Sequence, residues 1–260
     1  VESLRQWLRD IVPVPVRKRL IKTLNSGNYL NRLVYGKATY NQDGLVTTHN
    51  ADFMRDPRFA RAYAAGQATG SWTFGELHWR AYVICWAAER GAALEGDFVE
   101  CGVNRGGYAL TVMHYVNFEA LAKKFYLLDT YEGLVERYIS PEEKARGVRT
   151  GEYEPCYDAV VRTFSPYQNA IIVRGPVPDT LPQVTAQRIS FLSIDMNTRD
   201  PEIAAAEYFW DRLVSGAVVV LDDYGWRKHY EQKIAFDDFA RRRGTAVLAL
   251  PTGQGLLFKP

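Results

Sequence analysis

The segment Gly96-Asp97-Phe98-Val99-Glu100-Cys101-Gly102-Val103-Asn104-Arg105-Gly106-Gly107 reads as a short buried strand, a glycine-rich turn and the first turn of a helix. Phe98 and Val99 are β-formers, while Gly102, Gly106 and Gly107 let the backbone turn tightly and carry its N–H groups close to a ligand. The helix that follows, roughly 107–116, points its positive end at that turn. This is the cradle expected at the carboxyl end of a first parallel strand.

The order of residues is acid-x-Gly-x-x-x-Gly-Gly, with Glu100 at the strand end. It is neither the G-x-G-x-x-G of a dinucleotide site nor a P-loop, which needs Lys and Ser/Thr after its glycines. An acid here repels phosphate but suits an ammonium group. S-adenosylmethionine carries an ammonium and a sulfonium and no phosphate, so it is the cofactor this cradle fits. An ordinary strand–helix turn has the same glycines, and the rest of the chain must decide.

Downstream, the pattern alternates strand and helix. Strands are expected at 97–101, 125–129, 170–173, 189–195 and 217–222, and helices at 141–165, from 200 to about 213, and at 228–243. Two final strands, 246–250 and 255–259, flank a Pro-Thr-Gly-Gln turn and read as an antiparallel hairpin. Repeated βα units predict an α/β fold with a doubly wound, mostly parallel sheet of seven strands closed by that hairpin. Upstream, Asp56-Pro57 reads as the start of a helix to Gly66, and a longer helix is expected over 73–90. Residues 1–24 are amphipathic and basic, with Leu4, Trp7, Leu8 and Ile11 against Arg5, Arg9, Arg17, Lys18 and Arg19. They predict a helix that packs on the body or on a second subunit, rather than one that lies on a membrane. Residues 25–50 read as a polar loop or flap, with Tyr35, Tyr40 and His49 on it. The expected division is an N-terminal extension over 1–70 and a catalytic domain over 71–260.

With 260 residues, 47% hydrophobic and 24% charged, the chain has material for a sizeable core. A net charge of +2 gives no case for nucleic acid. Cys85, Cys101 and Cys156 are few, odd in number and widely spaced, and are expected to be reduced thiols of a cytoplasmic protein, not a zinc site or a disulfide frame. No run of apolar residues is long enough for a membrane span, and no signal peptide is expected.

Acids stand at the predicted strand ends. Asp129 closes the second strand, where a carboxylate can accept hydrogen bonds from ribose hydroxyls; capping the turn Thr130-Tyr131-Glu132-Gly133 is its plainer role. Asp195 ends the fourth strand, and Asp222 and Asp223 end the fifth. Neighbouring strand ends bring these three carboxylates together, and like charges held close call for a cation. All-oxygen ligands suit a hard ion such as Mg²⁺. The plainer reading is again that some of them cap turns. A cation there would lower the pKa of an acceptor hydroxyl, with Asp195 as general base and His229, six residues past Asp223, as a second candidate. Lys228 and Arg199 are candidates for steadying an anionic group.

Taken in order, Gly96–Val103 with Arg105-Gly106-Gly107, then Asp129-Thr130-Tyr131-Glu132-Gly133-Leu134, Gly175-Pro176-Val177-Pro178-Asp179-Thr180-Leu181-Pro182, Ile194-Asp195 and Leu221-Asp222-Asp223-Tyr224, the chain resembles the macrocin O-methyltransferase (TylF-like) family over about residues 70–260. These are class I, Rossmann-like, S-adenosylmethionine-dependent enzymes that methylate sugar hydroxyls of natural products. The resemblance implies cofactor contacts at Glu100, Gly102, Val103, Arg105, Gly107, Asp129, Thr130, Gly175 and Asp179. It implies Mg²⁺ ligands at Asp195, Asp222 and Asp223, with Asp195 as base. Two positions depart from the family: Asn104 replaces an aromatic, usually Trp, and Asn197 stands where a second acid is usual.

The function expected is O-methylation of a sugar or glycosylated small molecule by a homo-oligomer, dependent on S-adenosylmethionine and Mg²⁺. A catechol or other diol is the alternative acceptor, and a non-catalytic S-adenosylmethionine-binding protein the alternative class. An NAD oxidoreductase is disfavoured by the glycine spacing, and a nucleic-acid methyltransferase by the lack of an Asn-Pro-Pro-aromatic motif or a basic stripe.

Overall fold

The computed structural model describes residues 35–72, 75–227 and 229–260. The predicted helix over 1–24 and the first part of the predicted flap lie outside them, as does Lys228. The chain divides into two compact units, Val1–Asp52 and Phe53–Pro260.

In the first unit, part of the predicted flap is an antiparallel hairpin of β1 (Tyr40–Gln42) and β2 (Leu45–Thr47). Its turn is Asp43-Gly44, with φ of 53° and 69°. Two positive φ values in a two-residue turn match the right-handed twist of the strands, and Asp-Gly tolerates them. The polar composition of this segment masks a specific turn signal.

The second unit carries a seven-stranded sheet in the order β5-β4-β3-β6-β7-β9-β8. Its strands are β3 (Asp97–Cys101), β4 (Phe125–Asp129), β5 (Ala170–Arg174), β6 (Ile189–Ile194), β7 (Leu213–Leu221), β8 (Leu248–Ala249) and β9 (Gly255–Phe258). The first five in sequence pair in parallel, while β9 runs antiparallel to both β7 and β8. This is the expected architecture. The inner strands are buried on both faces, so they read as near-continuous apolar runs. Successive side chains feed two cores. Phe98, Phe125, Leu127, Phe191, Val218 and Val220 point to one. Val99, Tyr126, Leu128, Leu192, Val219 and Leu221 point to the other. The chain starts in the middle at β3, runs outward through β4 and β5, and returns to the other side of β3 at β6. That reversal leaves a crevice beyond the carboxyl ends of β3 and β6.

The helices are α1 (Pro57–Gln67), α2 (His78–Ala92), α3 (Gly107–Val116), α4 (Pro141–Ala145), α5 (Tyr157–Phe164), α6 (Arg199–Trp210) and α7 (Tyr230–Arg242). Asp56 caps α1 as expected, accepting from the N–H groups of Arg58 and Phe59 at 2.8 and 2.9 Å. That helix packs on α3: a Cβ at Gly66 would meet Thr111 Oγ1 at 1.9 Å and Gly107 O at 2.4 Å. It therefore belongs with the sheet, and the expected boundary at residue 70 falls inside the second unit. The single helix expected over 141–165 is two. Ser140 and Glu143 form a reciprocal capping box at the start of α4. Gly147 and Gly151 then take positive φ, and Pro155 precedes α5. Helix α2 begins at His78, later than the expected 73, and β7 begins at Leu213, earlier than the expected 217.

Candidate active site

The crevice is built by direct contact between two strand ends. Gly102 has φ +92°, and a Cβ there would lie 1.8 Å from the carbonyl oxygen of Asp195. Only glycine lets the turn after β3 lie against the turn after β6. The parallel ladder continues past the strands: Asp195 N–H donates to Cys101 O at 2.8 Å, and Asp222 N–H to Ile194 O at 3.0 Å. Sheet hydrogen bonding thereby sets Asp195 beside Asp222, with Glu100 on the neighbouring strand at the level of Ser193.

Glu100 is fully buried, and burial, followed by the neighbouring Asp129 and Asp222, raises its pKa well above the carboxylate range. One oxygen accepts from the N–H of Ala109 in the first turn of α3. The other, Oε2, is buried and makes no hydrogen bond among the described residues. An unsatisfied buried acceptor is costly unless a ligand donor reaches it. An ammonium group is such a donor.

Asp129 does more for the protein than the ribose role anticipates. Its Oδ2 accepts from the N–H groups of Val103 and Asn104, both at 2.7 Å. Its Oδ1 accepts from Tyr131 N–H at 2.6 Å and Thr130 Oγ1 at 3.2 Å. A carboxylate offers about four acceptor positions, and backbone N–H groups take three; the single proton of the Thr130 hydroxyl has its shorter bond to Gly133 O, at 2.7 Å. Asp129 thus clamps the glycine turn and caps its own turn, and Oδ1 keeps room for a further donor. Thr130 and Gly175 line a cleft of about 510 Å³ beyond the ends of β4 and β5, with Gly133, Leu134 and Pro176. Gly107 N–H donates to Ser71 Oγ at 2.9 Å. Arg105 pairs with Glu154 at 3.0 Å. Asp179 stands apart from the crevice acids: its carboxylate accepts from Arg137 and from Tyr138 Oη.

Asp195, Asp222 and Asp223 each place a carboxylate oxygen within 4.8 Å of the other two. Asp222 and Asp223 are buried and Asp195 half-buried. Burial, followed by Asp222 and Asp223, pushes the Asp195 pKa well upward. The cluster repels its own third charge, which is the electrostatic condition a divalent cation relieves. An all-oxygen donor set of this spacing fits Mg²⁺ or a similar hard ion. His229 joins the cluster, with Nε2 3.9 Å from Asp223 Oδ2 and Nδ1 2.7 Å from Gln232 Nε2. Arg199 pairs with Asp200 at 2.8 Å.

Arg80, Gln254, Glu202 and Tyr153 shape the cluster without having stood out in the sequence, and Asn197, singled out as a departure from the family, joins them. Arg80 of α2 pairs with Asp222 Oδ2, and Gln254 of the terminal hairpin donates Nε2 to Asp222 Oδ1 at 2.9 Å. Glu202, buried in α6, accepts from Met196 N–H at 3.1 Å and also holds the N–H of Asn197. Asn197 takes a positive φ of 58° and donates Nδ2 to Asp195 Oδ1 at 3.3 Å. Tyr153 is half-buried, and its hydroxyl feels Asp195 and Asp223, which add to burial in raising its pKa. The Gln254 contact had a signal in the glycines around it. Gly225 N–H reaches Gly253 O at 2.6 Å, and a Cβ at Gly253 would meet the Trp226 ring at 2.6 Å. The three cysteines are free and buried, and burial raises all three thiols, that of Cys156 to about 11.

Comparison with known proteins fits this geometry. A curated relative from Streptomyces olivaceus, 8-demethyl-8-(2,3-dimethoxy-alpha-L-rhamnosyl)-tetracenomycin-C 4'-O-methyltransferase, is 26% identical over 138 residues, covering 50% of this chain and 53% of its own. The chain thus spans about half the length of that relative. Among solved structures, the O-methyltransferase NovP superposes with a TM-score of 0.62 at 19% identity, over 72% of this chain and 81% of its own. The calicheamicin methyltransferase CalS11 gives 0.54 at 15% identity, over 81% and 94%. Both likenesses show the fold. The family model of macrocin-O-methyltransferase (TylF) matches residues 77–247, from α2 to the approach of the terminal hairpin, and the chain belongs to that family.

Proposed function

We propose that the protein is an S-adenosylmethionine-dependent O-methyltransferase that uses a divalent cation, expected to be Mg²⁺, to methylate a hydroxyl of a sugar or glycosylated small molecule. The observation that carries this reading is the convergence of the Asp195, Asp222 and Asp223 oxygens within 4.8 Å, one strand away from the buried, unsatisfied Oε2 of Glu100. The first fits a cation bound with acceptor hydroxyls. The second fits the ammonium of the cofactor. The name of the Streptomyces olivaceus relative, a 4'-O-methyltransferase of a rhamnosyl-tetracenomycin, supports a sugar acceptor.

In this reading, the turn clamped by Asp129 and the cleft beside Thr130 and Gly175 seat the cofactor. Asp195, Asp222 and Asp223 would hold the cation, which supplies Lewis acidity that favours the ionised form of an acceptor hydroxyl. S-adenosylmethionine, when bound, would supply an electrophilic methyl group whose transfer to the hydroxyl oxygen breaks the carbon–sulfur bond and leaves a neutral thioether. Asp195 receives the hydroxyl proton. Burial and the Asp222 and Asp223 charges favour its protonated form, and a cation in the cluster would oppose them and keep its carboxylate ionised, as a base requires. Asn197 and Glu202 fix the turn that aims it. His229 is the second candidate base, held through Gln232 and facing Asp223. The rest of catalysis is alignment of oxygen, carbon and sulfur.

The test is calorimetric titration with S-adenosylhomocysteine in Mg²⁺ and in EDTA, followed by methyl transfer to a panel of sugars, glycosides and catechols. Binding indifferent to EDTA, with turnover that EDTA abolishes, is the expected result. No binding in either buffer would overturn the methyltransferase reading. Turnover on catechols alone would move the acceptor to the diol class.

A further inference from the structure

The carboxylate cluster already contains a positive charge of the protein's own. Arg80 lies in the first turn of α2, 142 residues before Asp222 in sequence. Its Nη1 pairs with Asp222 Oδ2, and the two side chains are only 13% and 3% exposed. The Trp226 ring, from the loop that carries Asp222, covers the guanidinium at 5.3 Å. Gln254 occupies the other oxygen of Asp222 at 2.9 Å and also reaches Arg80 O at 3.4 Å. Three separate elements therefore hold one ion pair at the edge of the cluster, away from solvent.

A buried guanidinium keeps its charge. With all three carboxylates ionised, as they would be around a bound divalent ion, the guanidinium leaves two net negative charges, the number that ion neutralises. The same guanidinium repels that ion and has first claim on one of its ligands. We propose that Arg80 is a resident counter-cation: it holds Asp222 in place while no ion is bound, and it weakens the cluster's grip on the ion. The inference rests on the divalent-cation reading above. It adds that a residue of α2, outside the ligand set, sets the affinity.

The experiment is a calorimetric titration of Mn²⁺ into the full chain, comparing wild type, R80M, R80K and D195N, with S-adenosylhomocysteine affinity as the check that each variant is folded. Methionine keeps the apolar stem of arginine against Trp226 and removes the charge. R80M is expected to bind Mn²⁺ about tenfold or more tightly than wild type, R80K to stay near wild type, and D195N to bind weakly. Binding by R80M equal to or weaker than wild type, with D195N impaired, would overturn the role of Arg80 and leave the cation site standing. No Mn²⁺ uptake by wild type or R80M would overturn both. Should R80M fail to fold, R80Q, which is neutral and still donates to Asp222, takes its place under the same criteria.

Discussion

Gly102→Ala is the most exacting test of how the crevice is built. An alanine there must hold φ near +92°, which costs about 1–2 kcal/mol for an L-residue. Its Cβ must also move from 1.8 Å to the 3.4 Å of ordinary contact with Asp195 O, parting the two turns by about 1.6 Å. Both partners are backbone, so no rotamer relieves the overlap. The ladder bonds Asp195 N–H to Cys101 O and Gly102 N–H to Leu128 O are the first to stretch. Each is worth about 0.5–1.5 kcal/mol. The whole loss is then about 2–5 kcal/mol, against the roughly 5–15 kcal/mol that holds a domain together. Gly147 is the matched control: its φ is also +92°, but nothing lies within 4 Å of its Cβ position. Gly147→Ala should lose only the conformational term. Urea denaturation of the two variants, with S-adenosylhomocysteine titration of each, separates strain from overlap. The reasoning is refuted if both variants lose stability equally, or if Gly102→Ala keeps full cofactor affinity.

Asp222→Asn should abolish cation-dependent turnover and leave S-adenosylhomocysteine affinity within about threefold of wild type. It should also cost about 3 kcal/mol in denaturation, because Arg80 stays buried without its anion; equal loss of cofactor affinity would show that the two subsites are not separate. Asp129→Ala should do the reverse, weakening cofactor binding at least tenfold through release of the turn at Val103 and Asn104, which calorimetry measures. Glu100 has a raised pKa in the folded state, so its contribution to stability is present below the ordinary carboxylate range and is lost as pH rises through the folded value. Glu100→Gln should therefore flatten the fall in melting temperature of the cation-free protein as pH rises above the ordinary carboxylate range. Parallel curves for variant and wild type would refute that.

The acids at strand ends were legible because a parallel sheet converts position in sequence into position in space. Once β3, β4, β6 and β7 are recognised by their apolar runs, the residues that close them must face one crevice. Glu100, Asp129, Asp195 and Asp222 follow from that rule alone, with no side-chain modelling. What the rule leaves out is the orientation of each side chain and its partners from other elements. Arg80 was unreadable because it belongs to a helix whose periodicity reports only its buried face, and its partner lies 142 residues away. Asp179 shows the same limit: it sits in a motif that matches the family, and its partners Arg137 and Tyr138 come from a segment with no periodicity to announce them. The turn of Gln254 was read as a connection, but Gly225 and Gly253 on facing loops are what allow two backbones to meet at 2.6 Å. A glycine in a loop beside an acid pair is a sign of close approach, and close approach brings a neighbour's side chain with it. Reading glycines as contact points and not as breaks would have placed the hairpin turn, and with it Gln254, against Asp222.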